Sequence, residues 1–278
     1  MARVVTAEQR GQGECRRPWR KLPSHWNLVS ALARRELAAR YRGSILGLVW
    51  VVLTPLVMIA IYTFIFAEIF GARFGANSSP LDYALYLFCG LLPWTAFQEA
   101  LQTSAGAITA QANLVKRVRF PLETLPVAQV LVALANQAFG TIALLAAALL
   151  IRGRLHLTLL WLPVLLIPQL LLTTGLAWFV ASLGVFVRDT AQTLALVLVA
   201  WLFLTPIMYP ETAVPARYHS WIAMNPFTGL VRNYRSVLLE GRPPDWAGLA
   251  YVAALGLIAF PLGYWWFAKT RRSFADVL

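Results

Sequence analysis

Acidic residues are scarce in this chain of 278 residues, with 12 Asp and Glu against 24 Lys and Arg, and charged residues make up only 13% of the whole. A soluble domain carries roughly 25%, so this chain cannot cover its own surface with polar groups. Cysteine is nearly missing. Cys15 lies in a polar arm and Cys89 inside an apolar segment, too differently placed to pair, which excludes a disulfide scaffold. The three histidines, His25, His156 and His219, are scattered over loops on both sides of the expected membrane and cannot converge on a metal or an acyl-transfer centre. No close Asp/Glu pair of the kind that hydrolyses a glycoside is present. A G-x-x-x-x-G-K-[ST] run is also missing, so the chain cannot cradle nucleotide phosphates alone. Neither catalytic nor metal-ligating residues are expected, and no cofactor is expected on this chain.

Apolar residues are what the chain has instead. They form 59% of it, and the mean hydropathy is +0.63, so its solvent is expected to be lipid. The net charge of +12 invites a nucleic-acid partner, but the cations sit in an N-terminal arm and short loops, as membrane topology demands. A nucleic-acid partner is therefore not expected. A spanning helix needs about 20 mostly apolar residues. Six segments qualify: Ile45–Phe70, Tyr83–Thr103, Val127–Ile151, Leu159–Val187, Thr190–Tyr209 and Ala247–Phe267. Arg188 and Asp189 separate the fourth from the fifth and mark a tight turn. The expected fold is an all-α integral membrane protein with six transmembrane helices.

Cations set the expected orientation. Those of the arm, of the second connection (Lys116, Arg117, Arg119), of Arg188 and of the tail (Lys269, Arg271, Arg272) outnumber the seven on the other side, Arg152 and Arg154 among them. The positive-inside rule then places both termini in the cytoplasm. The first apolar run follows some forty mostly polar residues, which suits an uncleaved anchor rather than a signal peptide.

Expected organisation follows. Residues 1–26 read as a basic, largely disordered cytoplasmic arm, 27–42 as a cytoplasmic interface helix, 43–267 as the transmembrane domain and 268–278 as a cytoplasmic tail. Asn27 to Tyr41 has no Pro or Gly and is rich in Ala, Leu and Arg, which favours helix. Leu28, Val29 and Leu32 share one side; Glu36 joins them and Leu37 does not. The connection 210–246 is too long for a turn and too broken for a span, with Asn225, Pro226 and Phe227 interrupting it. It reads either as a pair of short re-entrant helices forming an outer gate or as an amphipathic helix lying in the headgroups.

Within the spans ionisable groups are few. Glu68 and Glu99 lie near span ends, where snorkelling and function explain them equally. Gln129, Asn136 and Gly140 fall on one face of the third span, as polar glue between helices or as the wall of a conduit. Tyr62, Phe66 and Phe70 recur every four residues, as packing or as a stacking surface for sugar rings.

Leu46-Gly47-Leu48-Val49-Trp50 with Leu53-Thr54-Pro55-Leu56, the run Asn113 to Pro126 with its basic pair, Phe120-Pro121 and Leu125-Pro126, Thr205-Pro206-Ile207-Met208-Tyr209, and Asn225-Pro226-Phe227-Thr228 occur in this order. Together they resemble the membrane subunits of type-2 ABC exporters for polysaccharides, the O-antigen, capsule and teichoic-acid permeases. The resemblance covers most of the chain beyond about residue 27; the first twenty-odd residues match nothing, and the basic Arg152–Arg154 corner departs from it. It implies a transport subunit of a bacterial inner membrane rather than an enzyme. Two copies would pair, and they would dock on two copies of a separate ATP-binding subunit that holds ATP and Mg. Coupling would pass through the interface helix with Arg34, Arg35 and Glu36 and through the loop 112–126 with Lys116, Arg117, Arg119 and Glu123. The cargo would be a lipid-linked glycan, with Tyr62, Phe66, Phe70, Gln129 and Asn136 lining its conduit. An exporter of drugs or lipids is the alternative, and a membrane-embedded glycosyl- or acyltransferase the alternative of another class.

Replacing Lys116, Arg117 and Arg119 together by Glu is expected to impair docking of an ATP-binding partner while leaving the chain inserted. The readout is ATP hydrolysis by the reconstituted pair. Wild-type hydrolysis in a correctly oriented triple variant assigns these cations to topology alone.

Overall fold

The computed structural model describes residues 26–41, 49–69, 71, 79–112 and 120–278. The arm before Trp26, the Leu46-Gly47 motif, Phe70 and the cations Lys116, Arg117 and Arg119 lie outside the described residues. Among the described residues the regular structure is entirely helical. The helices are α1 (Trp26–Tyr41), α2 (Val49–Tyr62, continued by a π-helical stretch Thr63–Ile69), α3 (Pro80–Ala107), α4 (Thr124–Arg152), α5 (Leu162–Phe186), α6 (Thr190–Leu204), α7 (His219–Met224), α8 (Pro226–Arg235, continued by a π-helical turn Ser236–Glu240), α9 (Trp246–Thr270) and α10 (Phe274–Val277). Among the described residues, three segments are long and apolar enough to cross a membrane: Thr124–Arg152, Leu157–Phe186 and Trp246–Ser273. Leu56–Ile65 and Thr190–Leu204 are shorter apolar helices.

Local chemistry fixes the boundaries. Ser79 accepts from the Asp82 backbone N–H and its own N–H donates to the Asp82 carboxylate, a capping box with Pro80 in the first turn of α3. Asn225 and Asp245 cap α8 and α9 in the same sense, accepting from Phe227 N–H and Ala247 N–H. Gly153 ends α4 at φ 68°, a left-handed conformation that glycine adopts without steric cost, and its N–H returns to the Leu149 carbonyl. The turn at Arg188 and Asp189 does break the helix, with α5 stopping at Phe186 and α6 starting at Thr190.

α3 is the central helix. Tyr83, Leu87, Trp94, Phe97 and Ala100 are fully enclosed, as α4, α5, α6 and α8 all pack against it. The most extensive pairing joins α5 to α9. Backbones meet directly there: a Cβ on Gly263 would lie 2.0 Å from the Gly175 carbonyl oxygen, and one on Gly175 would lie 2.4 Å from the Ala259 carbonyl. Small residues permit such approach, and dispersion replaces the hydrophobic drive that lipid does not supply. Trp178 completes the seam, edge-on to Phe260 and Tyr264 with centroids 5.0 and 5.1 Å apart.

The bundle has two chemically different ends. At one, α1 docks through Val29, Leu32 and Ala33, and a cluster of Leu122, Leu125, Trp178, Phe267 and Phe274 gathers α4, α5, α9 and α10. Leu37 also packs there, although the sequence sets it apart from Leu28, Val29 and Leu32. Its packing there comes with α4, against which α1 lies. At the other end Arg152 pairs with Asp82 at 2.8 Å, donates to the Leu239 carbonyl and lies over the Tyr86 ring. The basic Arg152 corner is thus a neutralised tether between α3 and α4.

The connection after α6 holds two short helices of unlike character. α7 is exposed, with Trp221 and Met224 outward, whereas α8 is buried through Phe227, Leu230, Val231, Tyr234 and Arg235. Asn225-Pro226 is therefore a helix start, with Asn225 as the cap and Pro226 in the first turn.

Gly263→Ala is expected to force α5 and α9 apart and to destabilise the protein by about 1–3 kcal/mol, as overpacking does. Thermal unfolding in detergent micelles reads this. Gly106→Ala is the control, since a Cβ there meets nothing within 4 Å and alanine is the better helix former.

Candidate functional site

The α3 and α4 helices leave a groove between them that α2 and α6 wall off. From α3 come Leu91, Leu92, Thr95, Gln98 and Glu99; from α4, Ala133, Asn136, Gln137 and Gly140. These follow three- and four-residue steps, so each set lies on one helical face. Trp50, Met58, Ile59 and Tyr62 of α2 and Val199, Leu202 and Phe203 of α6 close a cavity of about 650 Å³. Its size is that of a small-molecule site, about 300–1,000 Å³.

Polar groups in this cavity are held in place. Asn136 Nδ2 donates to Glu99 Oε1 at 2.8 Å. The Trp94 indole donates to Gln98 Oε1 at 3.0 Å. Gln137 of the cavity wall forms a closed, buried triad with Gln169 and Tyr234 behind it. Gln137 Nε2 donates to the Tyr234 hydroxyl at 2.8 Å, that hydroxyl donates to Gln169 Oε1 at 2.7 Å, and Gln169 Nε2 donates to Gln137 Oε1 at 2.7 Å. The triad ties α4, α5 and α8 together at a depth where an unpaired amide costs several kcal/mol.

A second space of about 720 Å³ lies further along the same groove, bounded by Arg35, Glu36, Thr103, Gly106, Ala107, Ala110, Gln111 and Gln129. Gln129 and Asn136 thus share a strip of α4, as their spacing predicts, yet they open into separate spaces. Tyr62 lines the first cavity. Phe66 sits in the π-helical stretch after α2, and nothing of its side chain is described.

The expected coupling residues divide. Arg34 and Arg35 are exposed on α1, and Arg35 pairs with Glu36 at 3.3 Å, a surface contact that contributes little stability. Glu123 is buried instead of presented: its carboxylate pairs with Arg271 at 3.1 Å and its carbonyl accepts from the Trp178 indole. It fastens the start of α4 to the end of α9, so its side chain is not a docking contact. The expected outer gate is also a packed joint. Phe227 is 1% exposed among Trp94, Phe97 and Trp201, with centroids 4.4–5.7 Å apart. Asn225 accepts from the Trp201 indole at 3.1 Å and donates to Thr205 Oγ1 at 2.8 Å.

Arg235 escaped sequence reasoning, which counted it only as a topological cation. Its guanidinium is buried and donates to the carbonyls of Pro206, Ile207 and Tyr86 at 2.9, 2.7 and 3.2 Å. Gln137 and Gln169, amides within apolar runs, are the sequence signal for the triad. Among the described residues no group of three or more His, Cys, Asp or Glu lies together to hold a metal.

Residues 27–239 match the ABC-2 type transporter family. The chain is 29% identical over 259 residues to the O-antigen export system permease protein RfbA of Myxococcus xanthus, covering 92% of this chain and 97% of that protein. It is 27% identical over 256 residues to the O-antigen export system permease protein RfbA of Klebsiella pneumoniae, covering 91% and 95%. To the polysialic acid transport protein KpsM of Escherichia coli it is 26% identical over 241 residues, covering 84% and 90%.

Tyr234→Phe removes the hydroxyl that both glutamines use and leaves each short of a partner. A loss of about 1–3 kcal/mol is expected, seen as a lower unfolding temperature in lipid nanodiscs. Gln137→Leu in the same background is expected to add less than its effect alone, because the triad is one unit.

Proposed function

The chain belongs to the ABC-2 type transporter family, and we propose that it serves as the membrane permease of an exporter of lipid-linked polysaccharide in a bacterial inner membrane. The observation that carries this reading is the likeness, over nearly the whole chain, to permeases whose own names specify O-antigen export and polysialic acid transport. The α3–α4 groove suits such cargo: fixed amides and a carboxylate stand among indole and phenol rings. Aromatic faces stack on the apolar faces of sugars without demanding a particular sugar, which suits a polymer that must slide.

In this reading α2, α3, α4, α5, α6 and α9 make six crossings, and both termini lie in the cytoplasm with α1 at the interface. Two copies pair, since six helices cannot line a wide pore for a polar polymer alone. Each copy docks on its own copy of a separate ATP-binding subunit, where ATP and Mg reside. The exposed Arg34 and Arg35 of α1 and the loop 112–126 receive its motion; Glu123 transmits that motion inward through Arg271. The cargo passes along the groove from the Gln129 space to the Asn136 cavity, past Tyr62, Phe66 and Phe70. At the outer side α7 and α8 form a re-entrant pair, and Asn225, Pro226 and Phe227 hinge it against α3 and α6.

Cells lacking the chain are expected to keep making the lipid-linked glycan and to lose it from the cell surface, with the polymer accumulating on the inner leaflet. Extraction of lipid-linked glycan together with surface labelling checks this. Loss of polymer synthesis itself would instead identify a glycosyl- or acyltransferase, and unchanged surface glycan would point to a drug or lipid cargo.

A further inference from the structure

The outward face of α9, with the 3-10 turn Arg271–Ser273 that continues it, changes character in order along its length. Ile258, Leu262, Trp265, Lys269 and Arg272 are all exposed, and their three- and four-residue steps confine them to an arc of about 80°. At about 1.5 Å per residue, Leu262 lies about 10 Å and Ile258 about 16 Å deeper than Lys269. One hydrocarbon leaflet is about 15 Å deep, so the face runs from aliphatic side chains through an indole to two cations over that distance. The Lys269 ammonium lies 5.2 Å from the centroid of the Trp265 ring, a contact that keeps the charge beside the helix.

The other side of the same helix end is already committed to the fold. Gly263, Tyr264 and Phe267 are buried, the Thr270 and Ser182 hydroxyls share a hydrogen bond of 2.7 Å, and Arg271 pairs with Glu123 at 3.1 Å. Among the described residues no ion pair takes up Lys269 or Arg272, and Asp276, the acid nearest in sequence, pairs with neither. No α9 residue lines either space of the α3–α4 groove.

We propose that this face of α9 binds one anionic phospholipid from the leaflet at that end of the bundle. Lys269 and Arg272 hold its phosphate, Trp265 lies at the level of its glycerol, and an acyl chain runs along Leu262 and Ile258. Indoles favour the boundary between headgroups and acyl chains, and lysine reaches the headgroups while its stem stays on apolar surface. The bound lipid braces the end of α9 that Arg271 ties to the start of α4. This site goes beyond the export reading: it rests on α9 crossing the bilayer and is indifferent to the cargo.

The full-length chain in detergent micelles is titrated with phosphatidylglycerol or with phosphatidylcholine of the same acyl chains, and retained lipids are counted by native mass spectrometry. Each Lys or Arg near an anionic lipid surface favours binding about fivefold, so two favour it about thirtyfold. One phosphatidylglycerol is therefore expected to be held about thirtyfold more tightly than phosphatidylcholine. In Lys269→Gln/Arg272→Gln that preference is expected to fall to near unity. Arg217→Gln/Arg242→Gln, which removes two exposed cations elsewhere, is expected to keep it. Equal retention of the two lipids by wild-type protein overturns the proposal. So does a preference that survives the first double variant or that the second abolishes as well. Should the first double variant fail to insert, Lys269→Gln and Arg272→Gln singly are each expected to lose about fivefold, and no loss in either overturns the site. Glycerol 3-phosphate, which carries the charge without the chains, is expected to compete only at far higher concentration; competition at matching concentration assigns the cations to a free anion and overturns the lipid site. Surface glycan in cells lacking the chain reads the export function independently of all these outcomes.

Discussion

Backbone that leaves the helical ladder inside a membrane must find hydrogen bonds from its own protein, and one guanidinium meets that demand here. After α6 the chain unwinds through Thr205, Pro206, Ile207 and Met208, all buried. Arg235 donates to the Pro206 and Ile207 carbonyls and the Tyr83 hydroxyl donates to the Met208 carbonyl. Gly90 leaves the room, since a Cβ there would approach Arg235 Nη2 to 3.1 Å. With those carbonyls satisfied, α8 can turn inward and lie against α3 and α9. Without them the buried position of α8, and with it the Gln137–Gln169–Tyr234 triad, would lose its support.

Rigidity is unevenly distributed around that joint. α5 and α9 touch backbone to backbone, and α3 is enclosed almost along its length, so these helices form a fixed frame. α2 and α6 differ: Leu56, Val57 and Ile61 on the first and Leu196 and Val197 on the second are exposed. Few packing contacts restrain them, and elements of low local contact density are the ones able to shift. The site lies between the two regimes. Its polar groups sit on α3 and α4, while its aromatic walls come partly from the less restrained α2 and α6.

Much of this was legible in the sequence because a membrane span is set by length and hydropathy, which are local properties. The α4, α5 and α9 helices fall where apolar runs exceed the thickness of hydrocarbon, and the Arg188-Asp189 turn falls where two charges interrupt one. Asn136 and Tyr62 line the cavity between α2, α3, α4 and α6, where their periodicity left packing and a conduit wall both open. The burial of Glu123 was not legible in the sequence because its partner, Arg271, is 148 residues away. Phe227 read as a gate residue because Asn-Pro breaks a helix; that three aromatic rings from α3 and α6 enclose it depends on packing alone.

The sequence by itself determined the helical class and the family, since each follows from composition or an ordered set of local motifs. Only the tertiary structure decided which charges are spent on the fold and which face a cavity. Arg152, Arg235 and Glu123 look no different in sequence from Arg34 or Glu99. Their roles separate only when helices distant in the chain meet, because the energy of a charge is fixed by the groups within a few ångströms of it, and folding alone brings those groups together.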